Sequence, residues 1–267
     1  MKKKRSAKAA GGDTGKLLEA RDGAIVTLTL SNPGKLNAMS LGIRDALSET
    51  FARLNDDASV RTIVLTGADG NFSAGAYMSG WGEKTLPECR ARLRRGGTRI
   101  MREMIGGDKP IVAAIEGFAY GAGLALTCAA DHVVAASNAR FCCAFTRVGF
   151  IPDMALMYSL PNRVGVTKAK QLIALAEDIK AERAGRLGLV DEVVEPGQAL
   201  RRAQELARQY AESPPIAFAL MKSVYARGLE AMIQAEIDLQ PYAWLSEDHE
   251  EGKLAFREKR RPRFKGR

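Results

Sequence analysis

Two glycine-punctuated stretches, Ser73-Ala-Gly-Ala76 and Gly121-Ala-Gly123, together with an aspartate set behind a proline in Gly149-Phe-Ile-Pro-Asp153, are the segments best suited to chemistry. Backbone N–H groups at glycine turns and helix N-termini can be aimed at an oxygen on which negative charge develops, and one such donor is worth roughly 3 kcal/mol. The plain structural alternative for either stretch alone is a tight turn with no ligand. Asp153 has two readings as well. It can move a proton as a base, or it can cap a helix that starts after Pro152. Capping would hold its pKa low, whereas apolar walls from Phe145, Phe150 and Met154 would raise it.

No metal chemistry is expected. Cys89, Cys128, Cys142 and Cys143 show no CxxC spacing, and His132 and His249 stand too far apart for a local ligand pair. Cys142 and Cys143 are neighbours that would point to opposite faces of a strand, so reduced thiols are expected.

These groups need a scaffold, and the chain can build one. It has 267 residues, 46% of them hydrophobic, enough for one sizeable core. Ala24-Ile-Val-Thr-Leu-Thr-Leu30 reads as a strand closed by the turn Ser31-Asn-Pro-Gly34, and Ser40 caps a helix through about Leu54. Thr62 to Thr66 and Pro110 to Ile115 read as buried strands. An Arg-rich helix from about Leu86 to Ile105 lies between them, and a short apolar helix covers Leu124 to Ala130. His132 to Ala136, Ala139 to Phe141 and Val190 to Val194 are further strands. Helices are expected from Asp153 to Arg163, Thr167 to Leu175, Lys180 to Leu187 and Gln198 to Glu212, and nearly to the end after Pro214-Pro215. Alternating strand, turn and helix predict an α/β layered domain. The expected divisions are a mobile tail over residues 1–16, a core over 17–204 and a helical C-terminal subdomain over 205–267 with a basic end.

The net charge of +9 is unevenly placed: residues 1–16 carry +5 and residues 253–267 carry +7, leaving −3 on the body. Basic ends allow salt-dependent RNA association, but no RNA-recognition motif with interleaved aromatics accompanies them, so nucleic acid is not an expected partner. No apolar run is long enough for a membrane helix and no apolar h-region follows the first lysines, so a cytoplasmic location is expected.

Five segments resemble the crotonase (enoyl-CoA hydratase/isomerase) superfamily in order and spacing. They are Asn32-Pro-Gly-Lys-Leu-Asn-Ala38, Phe72 to Ala76, Lys109 to Gly123, Ala184-Gly-Arg-Leu-Gly-Leu-Val190, and Ser246 to Gly252 running into Ala255-Phe-Arg-Glu-Lys-Arg260. The resemblance implies a spiral of ββα units with a C-terminal helical trimerisation region, a homotrimer or hexamer, and an acyl-CoA thioester substrate. No separate cofactor is implied, because coenzyme A belongs to the substrate. It places an enolate-stabilising oxyanion hole at the N–H groups of Ala76 and Ala122. Coenzyme A would lie against Lys35, Leu36, Ala74, Gly75, Gly121 and Phe145, with Phe256 and Lys259 reaching the nucleotide of a neighbouring subunit.

The departures from the family pattern are as informative. The two glutamates of family hydratases match Ala125 and Phe145, neither of which can transfer a proton. Tyr77 and Met78 replace the usual Asp-Leu or Asp-Ile run. Asp153 matches the single carboxylate of several enoyl-CoA isomerases, so a double-bond shift is the expected reaction and a hydratase-like activity the alternative. The 4-chlorobenzoyl-CoA dehalogenases use the same position as nucleophile, but they need a histidine where Thr98 stands and a tryptophan where Phe145 stands.

Overall fold

The computed structural model describes residues 15–77, 82 and 85–267; Met78 and residues 1–14 of the expected basic tail lie outside the described residues. Among the described residues the strands are β1 (Lys16–Asp22), β2 (Ile25–Ser31), β3 (Thr62–Gly67), β4 (Ile111–Ile115), β5 (Phe118–Tyr120), β6 (His132–Ala136), β7 (Arg140–Cys142), β8 (Ile179–Lys180) and β9 (Glu192–Val194). The helices are α1 (Leu41–Asp56), α2 (Leu86–Arg95), α3 (Gly97–Ile105), α4 (Ala122–Ala129), α5 (Leu156–Val164), α6 (Val166–Leu175) and α7 (Ala181–Arg186). They continue with α8 (Ala199–Glu212), α9 (Pro215–Tyr225), α10 (Leu229–Trp244) and α11 (Glu247–Glu258).

Six strands make one sheet in the order β1-β2-β3-β4-β6-β9, with β1 antiparallel to β2 and the remaining pairs parallel. β3 and β4 are buried on both faces, which is why they read as unbroken apolar runs. Their alternate residues serve two cores. Ile63, Leu65, Ile111, Ala113 and Ile115 pack with α1 and α3 through Leu47, Phe51, Ile100 and Met104. Val64, Val112 and Ala114 face α8 through Ala199, Ala203 and Leu206. A smaller sheet, β5-β7-β8, stands beside the first. The chain passes from β4 to β5 and then into α4, a strand-strand-helix unit that brings Gly121 to a helix start. A bridge from Ser73 to Ala119 ties the other glycine turn to the same place.

Several expectations need correction. Lys16 is paired to Ser31 in β1 rather than lying in a tail, and the strand was inconspicuous because its residues are largely exposed and show no apolar alternation. The Arg-rich helix is two helices, broken at Gly96 (φ −93°, ψ −130°). A Cβ on the next residue, Gly97, would lie 2.3 Å from Met154 Cγ, so the break lets α3 approach the Asp153 segment closely. The helix after Pro152 starts at Leu156, because Met154 and Ala155 take left-handed φ of 55° and 53°. The division at residues 204 and 205 falls inside α8, which packs on the large sheet as one element.

The basic C-terminus is engaged with α11. Asp248 accepts the Lys265 and Gly266 N–H groups at 2.6 and 2.8 Å, Glu251 holds Arg260 and the Arg263 N–H, and Arg267 reaches Glu247. Part of its charge is thereby neutralised within the chain. Lys222 on α9 is buried, its ammonium donating to Asp131 Oδ2 at 2.8 Å and to the Met104 and Lys109 carbonyls at 2.7 and 3.0 Å. No helix among the described residues is long and apolar enough to cross a membrane.

Candidate active site

The first glycine turn is held almost wholly by main-chain contacts. Met39 N–H donates to Gly75 O at 2.7 Å, Tyr77 N–H to Met39 O at 3.0 Å, Ala74 N–H to Leu36 O at 2.9 Å and Ser73 N–H to Phe118 O at 2.7 Å. Ser73 Oγ adds a bond to Asn37 O at 2.8 Å and accepts the Gly75 N–H. Gly75 sits at φ 101°, and a Cβ there would lie 2.8 Å from Tyr120 O and 3.5 Å from Ala122 N. The two turns therefore touch. Gly75→Ala, strained in both conformation and space, is expected to lower stability by roughly 2 kcal/mol, read as a drop in thermal midpoint; an unchanged midpoint would show that the turn can relax.

At the second turn, Gly121 takes φ 50° and Ala122 opens α4 as its first residue. Neither the Ala76 nor the Ala122 N–H has an acceptor among the described residues. Both residues line a cavity of about 270 Å³ walled by Met39, Leu93, Phe145, Phe150, Met154 and Trp244. Two free N–H groups at touching turns, one carrying the positive end of a helix, suit an oxyanion.

Asp153 lines the same cavity. Burial raises its pKa to about 6, against the pull of Arg44, of a hydrogen bond from the Gln240 amide and of Arg92. The helix-capping reading does not hold, since α5 has no side-chain cap and only the Asp153 main-chain carbonyl receives Leu156 N–H, at 3.2 Å. The group is left for the cavity. As a base it acts ionised, so turnover is expected to fall as the pH drops through about 6; a pH–rate profile flat through that range would remove it from the proton-transfer step.

Of the residues predicted from sequence, Asp153, Ala76, Ala122, Ala74, Gly75, Gly121, Phe145 and Phe256 all line the one cavity. Lys35 and Leu36 do not, but they adjoin it: Leu36 O receives Ala74 N–H, and the Lys35 ammonium lies 4.3 Å above the Tyr77 ring, which gives Tyr77 a partner. Lys259 is exposed and ends α11 in a left-handed conformation (φ 53°), three positions beyond Phe256. Ala125 is fully buried in α4, and Phe145 supplies a ring in place of a carboxylate. The four cysteines are buried and free, with burial pushing Cys142 up to about 11 and Cys128 to about 12.

Sequence reasoning missed Arg44, Arg92, Trp244, Glu236 and Gln240. The first three line the cavity from α1, α2 and α10. Glu236 and Gln240 carried a usable signal: two polar residues four apart on the inward stripe of a mostly apolar helix.

A family model for enoyl-CoA hydratase/isomerase matches residues 20–267. The chain is 33% identical over 258 residues to a carnitinyl-CoA dehydratase of Shigella flexneri, covering 92% of this chain and 97% of that one. It is 32% identical over 256 residues to the Proteus mirabilis protein of the same name, covering 92% and 96%. Among solved structures it resembles an enoyl-CoA hydratase from Mycobacterium avium subsp. paratuberculosis K-10, with a TM-score of 0.83, 26% identity and 93% and 98% of the two chains covered. An enoyl-CoA hydratase/isomerase from Pseudoalteromonas atlantica T6c gives a TM-score of 0.82, 28% identity and 93% and 99% coverage. The chain belongs to the crotonase superfamily, the enoyl-CoA hydratase/isomerase family. It is an enzyme of that acyl-CoA thioester-binding family, with the family's fold.

Proposed function

We propose that this enzyme moves a double bond along an acyl-CoA thioester. The Ala76 and Ala122 N–H groups receive the enolate oxygen, and Asp153 takes a proton from one carbon and returns it to another. The observation that carries this reading is that Asp153 is the one carboxylate lining the cavity among the described residues. A double-bond shift needs a single group that collects and returns one proton, and it needs no water. Lys35, Leu36 and Ala74 would run along coenzyme A, with Lys259 as a point charge for a phosphate.

A second reading is a hydratase-like lyase, favoured by the names of the carnitinyl-CoA dehydratases that share a third of the sequence. The purified chain should be given 3-enoyl-CoA and 2-enoyl-CoA of several chain lengths, with double-bond conjugation and 3-hydroxyacyl-CoA followed together. Conversion of the 3-enoyl to the 2-enoyl thioester with negligible hydroxyacyl product supports the isomerase. Efficient hydration or dehydration supports the lyase instead.

A homotrimer, or a hexamer of two trimers, is part of the same proposal. Ile216, Leu220, Val224 and Tyr225 on α9 and Leu239 and Tyr242 on α10 are exposed apolar residues that a neighbouring copy would cover. Analytical ultracentrifugation decides it, and a monomer at working concentration would sink it.

A further inference from the structure

Two polar side chains of α10, buried and one turn apart, lie behind the cavity. Glu236 is 2% exposed and Gln240 fully buried, on a face otherwise made by Leu229, Ile233, Ile237 and Trp244. Glu236 Oε2 accepts the Ala155 N–H at 2.9 Å. Gln240 brackets Ile151, its Oε1 accepting the Ile151 N–H at 3.1 Å and its Nε2 donating to the Ile151 carbonyl at 2.8 Å. Its amide also reaches the Asp153 carboxylate. One helix thus grips the chain on both sides of Asp153. The gripped segment is strained, because Met154 and Ala155 hold left-handed φ despite carrying Cβ atoms, and no side chain caps the helix that follows.

The remaining Glu236 oxygen, Oε1, is buried without a hydrogen-bond partner. Such a place penalises an ionised carboxylate more heavily than a protonated one. Burial raises the Glu236 pKa to about 8, with the Ala155 N–H opposing and the nearby Asp153 charge adding to the rise. Other charged groups around α10 have their own contacts. Arg90 pairs with Asp238, Arg102 with Glu230, Arg92 lies 5.8 Å from the Trp244 ring, and His249 is bonded to the Val148 carbonyl.

Resting on the reading of Asp153 as the proton carrier, we infer that Glu236, as a neutral acid, is a positioning residue that with Gln240 fixes the strained backbone on which Asp153 stands. Ionisation of Glu236 would set a second negative charge beside Asp153 and loosen that placement by repulsion.

The test compares the full-length wild-type chain with E236A, E236Q and D153N, measuring kcat and KM for 3-enoyl-CoA from about pH 5 to about pH 9. E236A is expected to lose about a hundredfold in kcat with KM little changed, as misplacement of a catalytic group from a distance does. E236Q is neutral and nearly isosteric, so it is expected to keep turnover near neutrality and to lose the alkaline fall of the wild type. Carboxyl-carbon NMR of Asp153 gives a readout that needs no substrate: a two-step titration in the wild type and a single step in E236Q. Wild-type kcat in E236A, or a two-step Asp153 titration surviving in E236Q, would overturn the proposal. Should E236A fail to fold, E236Q decides alone. Full turnover in D153N would instead overturn the role of Asp153, so the two failures are distinguishable.

Discussion

Replacing Asp153 with asparagine is expected to lower kcat by about a hundredfold to ten-thousandfold, the range that general acid–base groups supply, while acyl-CoA still binds. The side chain keeps its shape, so the cavity and its apolar walls persist; what disappears is the one carboxylate among the described residues that line the cavity. Stability should move the opposite way. Burial lifts the Asp153 pKa from 3.8 to about 6, so the folded chain holds this proton more tightly than the unfolded chain does. The resulting penalty is absent below the ordinary pKa and complete above the raised one, and at neutral pH it amounts to about 3 kcal/mol. D153N is therefore expected to melt at higher temperature than the wild type at neutral pH, with the difference shrinking as the pH falls through that interval. Calorimetry and single-turnover kinetics on the same preparations check both halves, and a variant that turns over normally would remove Asp153 from the mechanism.

The second large effect is expected from Ala122→Pro, which deletes a donor without deleting a side-chain function. Ala122 is the first residue of α4, where proline is tolerated because its missing N–H would have had no partner within the helix. The helix should survive. The N–H facing the cavity would not, and the pyrrolidine ring would occupy part of the space the thioester oxygen needs. A fall in kcat of roughly a hundredfold to a thousandfold is expected from the lost donor alone, with circular dichroism unchanged. Ala122→Gly, which retains the N–H, is the control and should stay near the wild type. If both variants behave alike, the oxyanion is held elsewhere.

What could be read from sequence was whatever local rules decide. The glycine turns are legible because Gly75 and Gly121 occupy positive φ and their spacing announces it. Ser40 announces α1 by capping it, accepting the Ile43 N–H. Buried strands such as β4 are legible as short apolar runs between turns. The capping role considered for Asp153 failed for a tertiary reason: Glu236 and Gln240, on a helix far along the chain, draw residues 151–155 into a conformation that delays α5 by three residues. Arg44 and Arg92 were equally opaque, because each looks like an ordinary charge on an amphipathic helix until α1 and α2 are folded over the cavity. The inward side of α9 was opaque for the same reason: the buried Lys222 anchor and the packing of Phe218 against Tyr210 reveal it only once the chain is folded.

The crossing of the two glycine turns has an evolutionary consequence. On the proposed reading its donors are main-chain amides held mostly by other main-chain atoms, so substitutions at positions 76 and 122 by any residue but proline leave the electrostatic half of the site standing. The proton-handling half of the proposed site resides in ordinary side chains, which single base changes can replace. A scaffold divided in this way can exchange one reaction for another while passing through folded, ligand-competent intermediates, and the alanine at 125, the phenylalanine at 145 and the aspartate at 153 are one setting of that exchangeable half.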